Sequence, residues 1–221
     1  MVLPVRAHWR QETTINFLRL HWFDVGIGLA GLTVGYVVTA SLDTLSVLLW
    51  ANLIALFLHQ FEEYRFPGTF PGMINTVMFN SPHPDRYPLN TNSALVINVS
   101  VGWLAFLMAA LLGAGALWLG IATMLVSIGN VIAHTFLFNI KGDTRYNPGM
   151  LTAIALFAPI AISFGYVVVV GSSATPIDWV LGLVLGVVLN YIGILKLIDW
   201  LKDEDSPYVF PNRFLIPDQR T

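Results

Sequence analysis

Residues 114–138 read AGALWLGIATMLVSIGNVIAHTFLF. The segment holds no Asp, Glu, Lys or Arg, and its one ionisable group is His134. A helix crosses the hydrocarbon core of a bilayer in roughly 20 apolar residues, so this stretch is long enough to span. An ionisable side chain kept inside such a segment is costly and marks a functional position by default.

Working outward, five further stretches have the same character: 22–40, 45–61, 93–112, 150–171 and 177–200. The connections at 41–44, 113 and 172–176 are short, which predicts three tight antiparallel hairpins. Of the 221 residues, 56% are hydrophobic and 11% charged, against roughly 25% charged in soluble domains; mean hydropathy is +0.69. The predicted fold is therefore all-α: a polytopic membrane bundle of six transmembrane helices, with 1–221 as a single integral membrane domain. Net charge is only −2, so nothing points to a nucleic-acid partner. The chain lacks cysteine, which excludes disulfides, thiolate metal sites and cysteine nucleophiles.

The basic residues fall on one side. Arg6, Arg10 and Arg19 precede helix 1; Arg65 and Arg86 follow helix 2; Lys141 and Arg145 follow helix 4; Lys196, Lys202, Arg213 and Arg220 close the chain. None lies in the three short turns opposite, and Asp43 and Asp178 are the only charges at that end. By the positive-inside rule both termini are expected in the cytoplasm, and the setting expected is a bacterial cytoplasmic membrane. His8, His21, His59, His83 and His134 share that side.

Helix 2 ends in LFLHQFEEYR, residues 56–65. His59, Glu62 and Glu63 stand at i, i+3 and i+4, on about one helix face. A helix C-terminus carries partial negative charge, so two carboxylates there call for a cation: a metal, a protonated histidine, or Arg65. Helix 4 supplies Asn130 and His134, again at i and i+4, and it runs parallel to helix 2, so His134 is expected at the depth of His59. Each cluster alone reads as easily as a polar collar or a hydrogen-bonded bundle histidine. Together they make the ligand set of a catalytic zinc site, two histidines and a carboxylate, or of a non-haem iron facial triad. His59, Glu63 and His134 are the predicted metal ligands, with Glu62 as base and Asn130 beside them, the spacing leaving the two glutamates open to exchange; zinc is favoured over iron. Asp24 reads as a helix-dipole partner, and Asn98 and Asn190 as interhelical hydrogen-bonding amides.

The long connection 64–92 contains five prolines, which rule out a continuous helix, yet it keeps Phe66, Phe70, Met73, Ile74, Val77, Met78 and Phe79. It is predicted to be a cytoplasmic interfacial lid over His59. The turn KGDTRYNPG, 141–149, ends helix 4, with Arg145 and Tyr146 as turn and anchor residues.

Three motifs, HQFEEYRFPGTF at 59–70, NVIAHTFLFN at 130–139 and RYNPGMLTA at 145–153, together resemble the HXXEE domain family of integral membrane proteins. The resemblance covers most of the chain from helix 1 onward. It implies a membrane enzyme, and by motif it carries over His59, Glu62, Glu63, Asn130 and His134, without supplying a substrate.

The function expected is a metal-dependent membrane hydrolase acting on a lipid or other apolar, membrane-delivered substrate at the cytoplasmic leaflet. Two alternatives stand beside it. One is metal-free proton shuttling or iron chemistry on an apolar substrate, as in an isomerase or oxidoreductase. The other is a proton- or ion-coupled transporter, disfavoured because the ionisable groups crowd one end rather than the midplane.

Overall fold

The computed structural model describes residues 5–171 and 173–219, with side chains for 16–171 and 173–218. Arg6, His8, Arg10 and Arg220 of the charge pattern fall outside the described side chains. Among the described residues every regular element is helical. Five runs are long and apolar enough to cross a membrane: Asn16–Thr39, Thr44–Tyr64, Thr91–Gly142, Met150–Val170 and Pro176–Trp200. The longest doubles back. Gly113 takes φ 52 and ψ −130, a backbone that favours glycine, and Ala116 also leaves the helical region. Leu104–Leu112 then packs against Leu117–Ile132.

Six legs result: α1 (Val5–Thr39), α2 (Thr44–Tyr64), α3 (91–112), α4 (117–142), α5 (Met150–Val170) and α6 (Pro176–Trp200). α1 begins far ahead of the predicted residue 22. Residues 5–21 contain neither glycine nor proline and are rich in good helix formers, so the helix continues beyond its apolar part. The two lone charges at the far end have a local use. Asp43 caps α2 by accepting from the Ser46 amide at 2.9 Å, and Asp178 completes a capping box with Thr175 at the start of α6.

Legs α4 and α6 approach through glycine. A Cβ on Gly182 would stand 2.6 Å from Ile121, and one on Gly186 2.5 Å from Leu125, so only a missing side chain lets the backbones meet. Four legs carry a π-helical segment: Val96–Trp103 in α3, Ala133–Leu137 in α4, Ala153–Phe157 in α5 and Tyr191–Lys196 in α6. In each leg the π turns lie in the half towards the basic end, so the bundle is distorted at one level.

That end is covered from two directions. In the Pro-rich connection, Phe70–Met73 and the π turn Ile74–Met78 bury Phe70, Met73 and Ile74, while Phe66 stays exposed. The C-terminal segment folds back over the same end and buries Phe210, Phe214 and Leu215. The Phe210 amide donates to the Asp85 carbonyl at 2.7 Å and the Thr91 amide to the Tyr208 carbonyl at 3.0 Å. Arg213 Nη1 donates to the Tyr64 carbonyl at 3.2 Å, placing a cation on the α2 C-terminus as the helix dipole favours.

Candidate metal centre

His59 and Glu63 come from the last turns of α2, and His134 from the π segment of α4. Glu63 Oε1 lies 3.5 Å from His59 Nε2 and 3.3 Å from His134 Nε2. All three side chains are buried, and one ligand atom from each lies within 4.8 Å of the others. A tetrahedral ion with bonds of about 2.0–2.1 Å sets its ligand atoms about 3.3 Å apart. The two spacings from Glu63 Oε1 match that value.

The outer face of each imidazole fixes its protons. His59 Nδ1 lies 2.9 Å from Thr152 Oγ1, and that hydroxyl donates to Glu62 Oε2 at 2.6 Å. A hydroxyl has one hydrogen, so the threonine oxygen must accept from His59, and the proton sits on Nδ1. His134 Nδ1 lies 2.6 Å from Asn147 Oδ1. The orientation of that amide is set by its Nδ2, which donates to the His134 carbonyl and to Asn139 Oδ1, both at 2.7 Å. His134 therefore also carries its proton on Nδ1. In the neutral rings both Nε2 atoms are bare lone pairs aimed at a carboxylate oxygen, and His59 Nε2 is a buried atom without a hydrogen-bond partner. Three electron-rich atoms facing one another call for a cation between them, a metal ion or a proton shared with Glu63. A second hydrogen bond that orients a ligating histidine is the usual companion of a metal site.

The two glutamates of the motif divide their work. Glu62, buried like Glu63, turns away from the histidines to the start of α5. Its Oε1 accepts from Tyr146 Oη at 2.9 Å and the Leu151 amide at 3.1 Å; its Oε2 accepts from the Thr152 amide at 2.8 Å and the Thr152 hydroxyl. A helix N-terminus presents free amides and partial positive charge, which offsets the burial of this carboxylate. Burial first, and then the bond to Glu62, raise the pKa of Tyr146 above the ordinary phenol value. Arg65, the other candidate compensating cation, pairs instead with Asp24 at 3.2 Å.

Aromatic rings box the imidazoles. The His134 and His59 ring centroids are 4.8 Å apart at 85°, Phe70 stacks on His134 at 5.6 Å, and Phe157 lies 5.0 Å from His59. Gly149, with φ +100, closes the floor. A Cβ there would collide with His134 Cε1 and come within 2.8 Å of His59 Cε1. Beside the trio lies a cavity of about 100 Å³ fronted by His59, Glu63, Gln60, Tyr64, Asn98 and Asn130 among apolar residues. Asn130, predicted as a site residue, lines this cavity and donates to the Val126 carbonyl of its own helix at 3.1 Å. On another wall Trp103 Nε1 donates to Gln60, Gln60 to Asn98, and Asn98 to the Tyr64 hydroxyl.

A model of the family described as "protein of unknown function with HXXEE motif" matches residues 50–164, just over half of the chain. The chain belongs to the HXXEE family. The matched region runs from α2 into α5 and so contains the whole trio together with Glu62, Asn147 and Thr152. No curated protein and no solved structure matches the chain. In this member the HXXEE motif supplies two ligand candidates, His59 and Glu63, and one clamp, Glu62. Spacing does not single out Thr152, Asn147 or Gly149: Thr152 acts across about 90 residues, Asn147 reaches back 13 residues over a turn, and Gly149 has no side chain. Their signal was the RYNPGMLTA stretch itself, an unusually specific turn between two apolar helices.

Proposed function

We propose that His59, Glu63 and His134 hold one divalent ion, zinc in the first instance, and that the protein is a membrane metallohydrolase working at the cytoplasmic end of the bundle. The observation that carries this reading is the pair of imidazoles whose Nδ1 protons are both committed outward, leaving two Nε2 lone pairs to converge on Glu63. Two nitrogens and one carboxylate oxygen leave a coordination position open, as catalytic sites do. An ion held there would supply Lewis acidity to a carbonyl, a phosphoryl group or a water in the adjoining cavity.

The remaining roles follow from placement. Glu62, saturated by four donors, is a positioning residue: it holds α5 and, through Thr152, the His59 ring. With both oxygens already accepting, Glu62 is not free to act as the base read for it from the sequence, and proton donation falls to the cavity wall. There Tyr64 accepts from Asn98, and no acceptor for its own proton is found among the described residues. Tyr64 is thus the group able to hand a proton to a leaving atom, with Gln60, Asn98 and Asn130 orienting the substrate.

Elemental analysis of the purified protein tests the reading. About one zinc per chain, lost in His59→Ala and His134→Ala, supports it. No metal under any purification condition refutes it, and would leave the trio sharing a proton, the arrangement of a proton-transfer enzyme.

A further inference from the structure

The cavity beside the trio, at about 100 Å³, takes several waters or a small polar group. It falls short of the roughly 300–1,000 Å³ of sites that enclose a whole small molecule. A second cavity, of about 410 Å³, lies between α4 and α6. The two share Phe70, Ile74, Asn130, Ile194 and Ile198, and the trio stands at their junction: His59 and Glu63 line the smaller, His134 the larger.

The larger cavity has a direction. α4 and α6 pack tightly as far as Gly129 and Asn190, where a Cβ on the glycine would be 2.5 Å from Asn190 Oδ1. Beyond that point both legs turn π, and the cavity lies between them. Its outer rim is formed by Leu137, Val187, Tyr191 and Leu195, all exposed on the side of the bundle. Apart from the Tyr191 hydroxyl at the rim, the polar side chains in its apolar lining are Asn130, His134 and Asn190, all less exposed than the rim residues. In a multi-pass membrane protein such a side opening faces acyl chains, not water.

We infer that this opening between α4 and α6 admits one hydrocarbon chain of a membrane amphiphile, whose polar end then lies in the small cavity against His59, Glu63 and His134. At about 30 Å³ for a group the size of a water, a volume of about 410 Å³ accommodates a chain segment of at least roughly a dozen such groups. The lid and the C-terminal segment cover the basic end, so the reacting part arrives sideways while the chain remains in the leaflet. The assignment of the polar end rests on the metal reading; the chain site rests on the cavity alone.

The test uses the full chain in phosphatidylcholine nanodiscs with palmitic acid bearing a mid-chain diazirine, cross-linked by light and mapped by peptide mass spectrometry. Labelling is expected to concentrate in 133–138 and 187–195. It should fall several-fold in Ala133→Trp, which fills the cavity, and in Val187→Trp, which blocks the rim from an exposed position and leaves the core untouched. Labelling spread over outward residues such as Leu32 and Ile162, unchanged in both variants, overturns the inference. Metal content measured on the same samples separates the two readings. Concentrated label without metal upholds the chain site and refutes the metal reading; metal with dispersed label does the reverse.

Discussion

Glu62→Gln is expected to loosen the fold while the protein still takes up metal at saturation, and Glu63→Gln to do the opposite. Glu62 accepts four hydrogen bonds, two on each oxygen. A glutamine keeps one acceptor oxygen and turns an amine towards two donors, so at least two bonds are lost. Hydrogen bonds to a charged group contribute about 1.5–3 kcal/mol each, or about 3–6 kcal/mol for the pair. Relief of the carboxylate's own desolvation returns part of that, leaving a net loss of about 2–4 kcal/mol. For a chain of this size that lowers an unfolding midpoint by roughly 5–15 °C. The assay is thermal unfolding in detergent with excess chelator, for wild type and both variants. Glu63→Gln removes an anion facing two lone pairs, so its metal-free midpoint stays level or rises, while its metal is lost. A Glu62→Gln midpoint equal to wild type, or a larger fall in Glu63→Gln, refutes the division of roles.

Removal of metal from the wild type should lower its midpoint, since a ligand at about a thousand times its Kd stabilises by about 4 kcal/mol; chelator titration followed by unfolding reads this directly. Thr152→Val and Asn147→Leu remove the acceptors for the two Nδ1 protons and are expected to weaken metal binding by about 10–100-fold each, measured by competition with a chromogenic chelator. Gly149→Ala pushes a methyl into both imidazoles and strains a positive φ, a combined loss of about 2 kcal/mol or more, seen as a lower midpoint together with lost metal. Because the pKa of Tyr146 is raised, its hydroxyl keeps donating to Glu62 at every pH below the ordinary phenol value of about 10. That contribution disappears only as pH climbs past the raised value, so the wild-type minus Tyr146→Phe difference in tyrosinate absorbance should emerge only above pH of about 10.

The helical class and the apolar legs were legible because a bilayer demands long uninterrupted apolar runs, and charge placement marked the turns. The convergence of His59, Glu63 and His134 was also legible, since parallel legs α2 and α4 bring the same end of each helix to one depth. The separate fates of Glu62 and Glu63 were not. They are adjacent on the chain and about 100° apart on the helix, so which faces α4 and which faces α5 depends on packing. The π turns were equally hidden: VINVSVGW, AHTFL and YIGILK are ordinary apolar helix sequence, and only the i→i+5 bonding separates them. The C-terminal segment carried no periodic signal, although Phe210 and Phe214 are nearly fully buried. Its fold comes from contacts with distant elements, which no local pattern encodes.

The central claim is that one metal ion sits between α2 and α4 with two imidazoles and the Glu63 carboxylate around it. X-ray absorption at the metal edge of purified protein tests it most directly. Two histidine nitrogens and oxygen at about 2.0–2.1 Å are predicted, with the imidazole signature reduced or the metal gone in His59→Ala and in His134→Ala. A spectrum without imidazole scattering, or one unchanged by either substitution, contradicts the account.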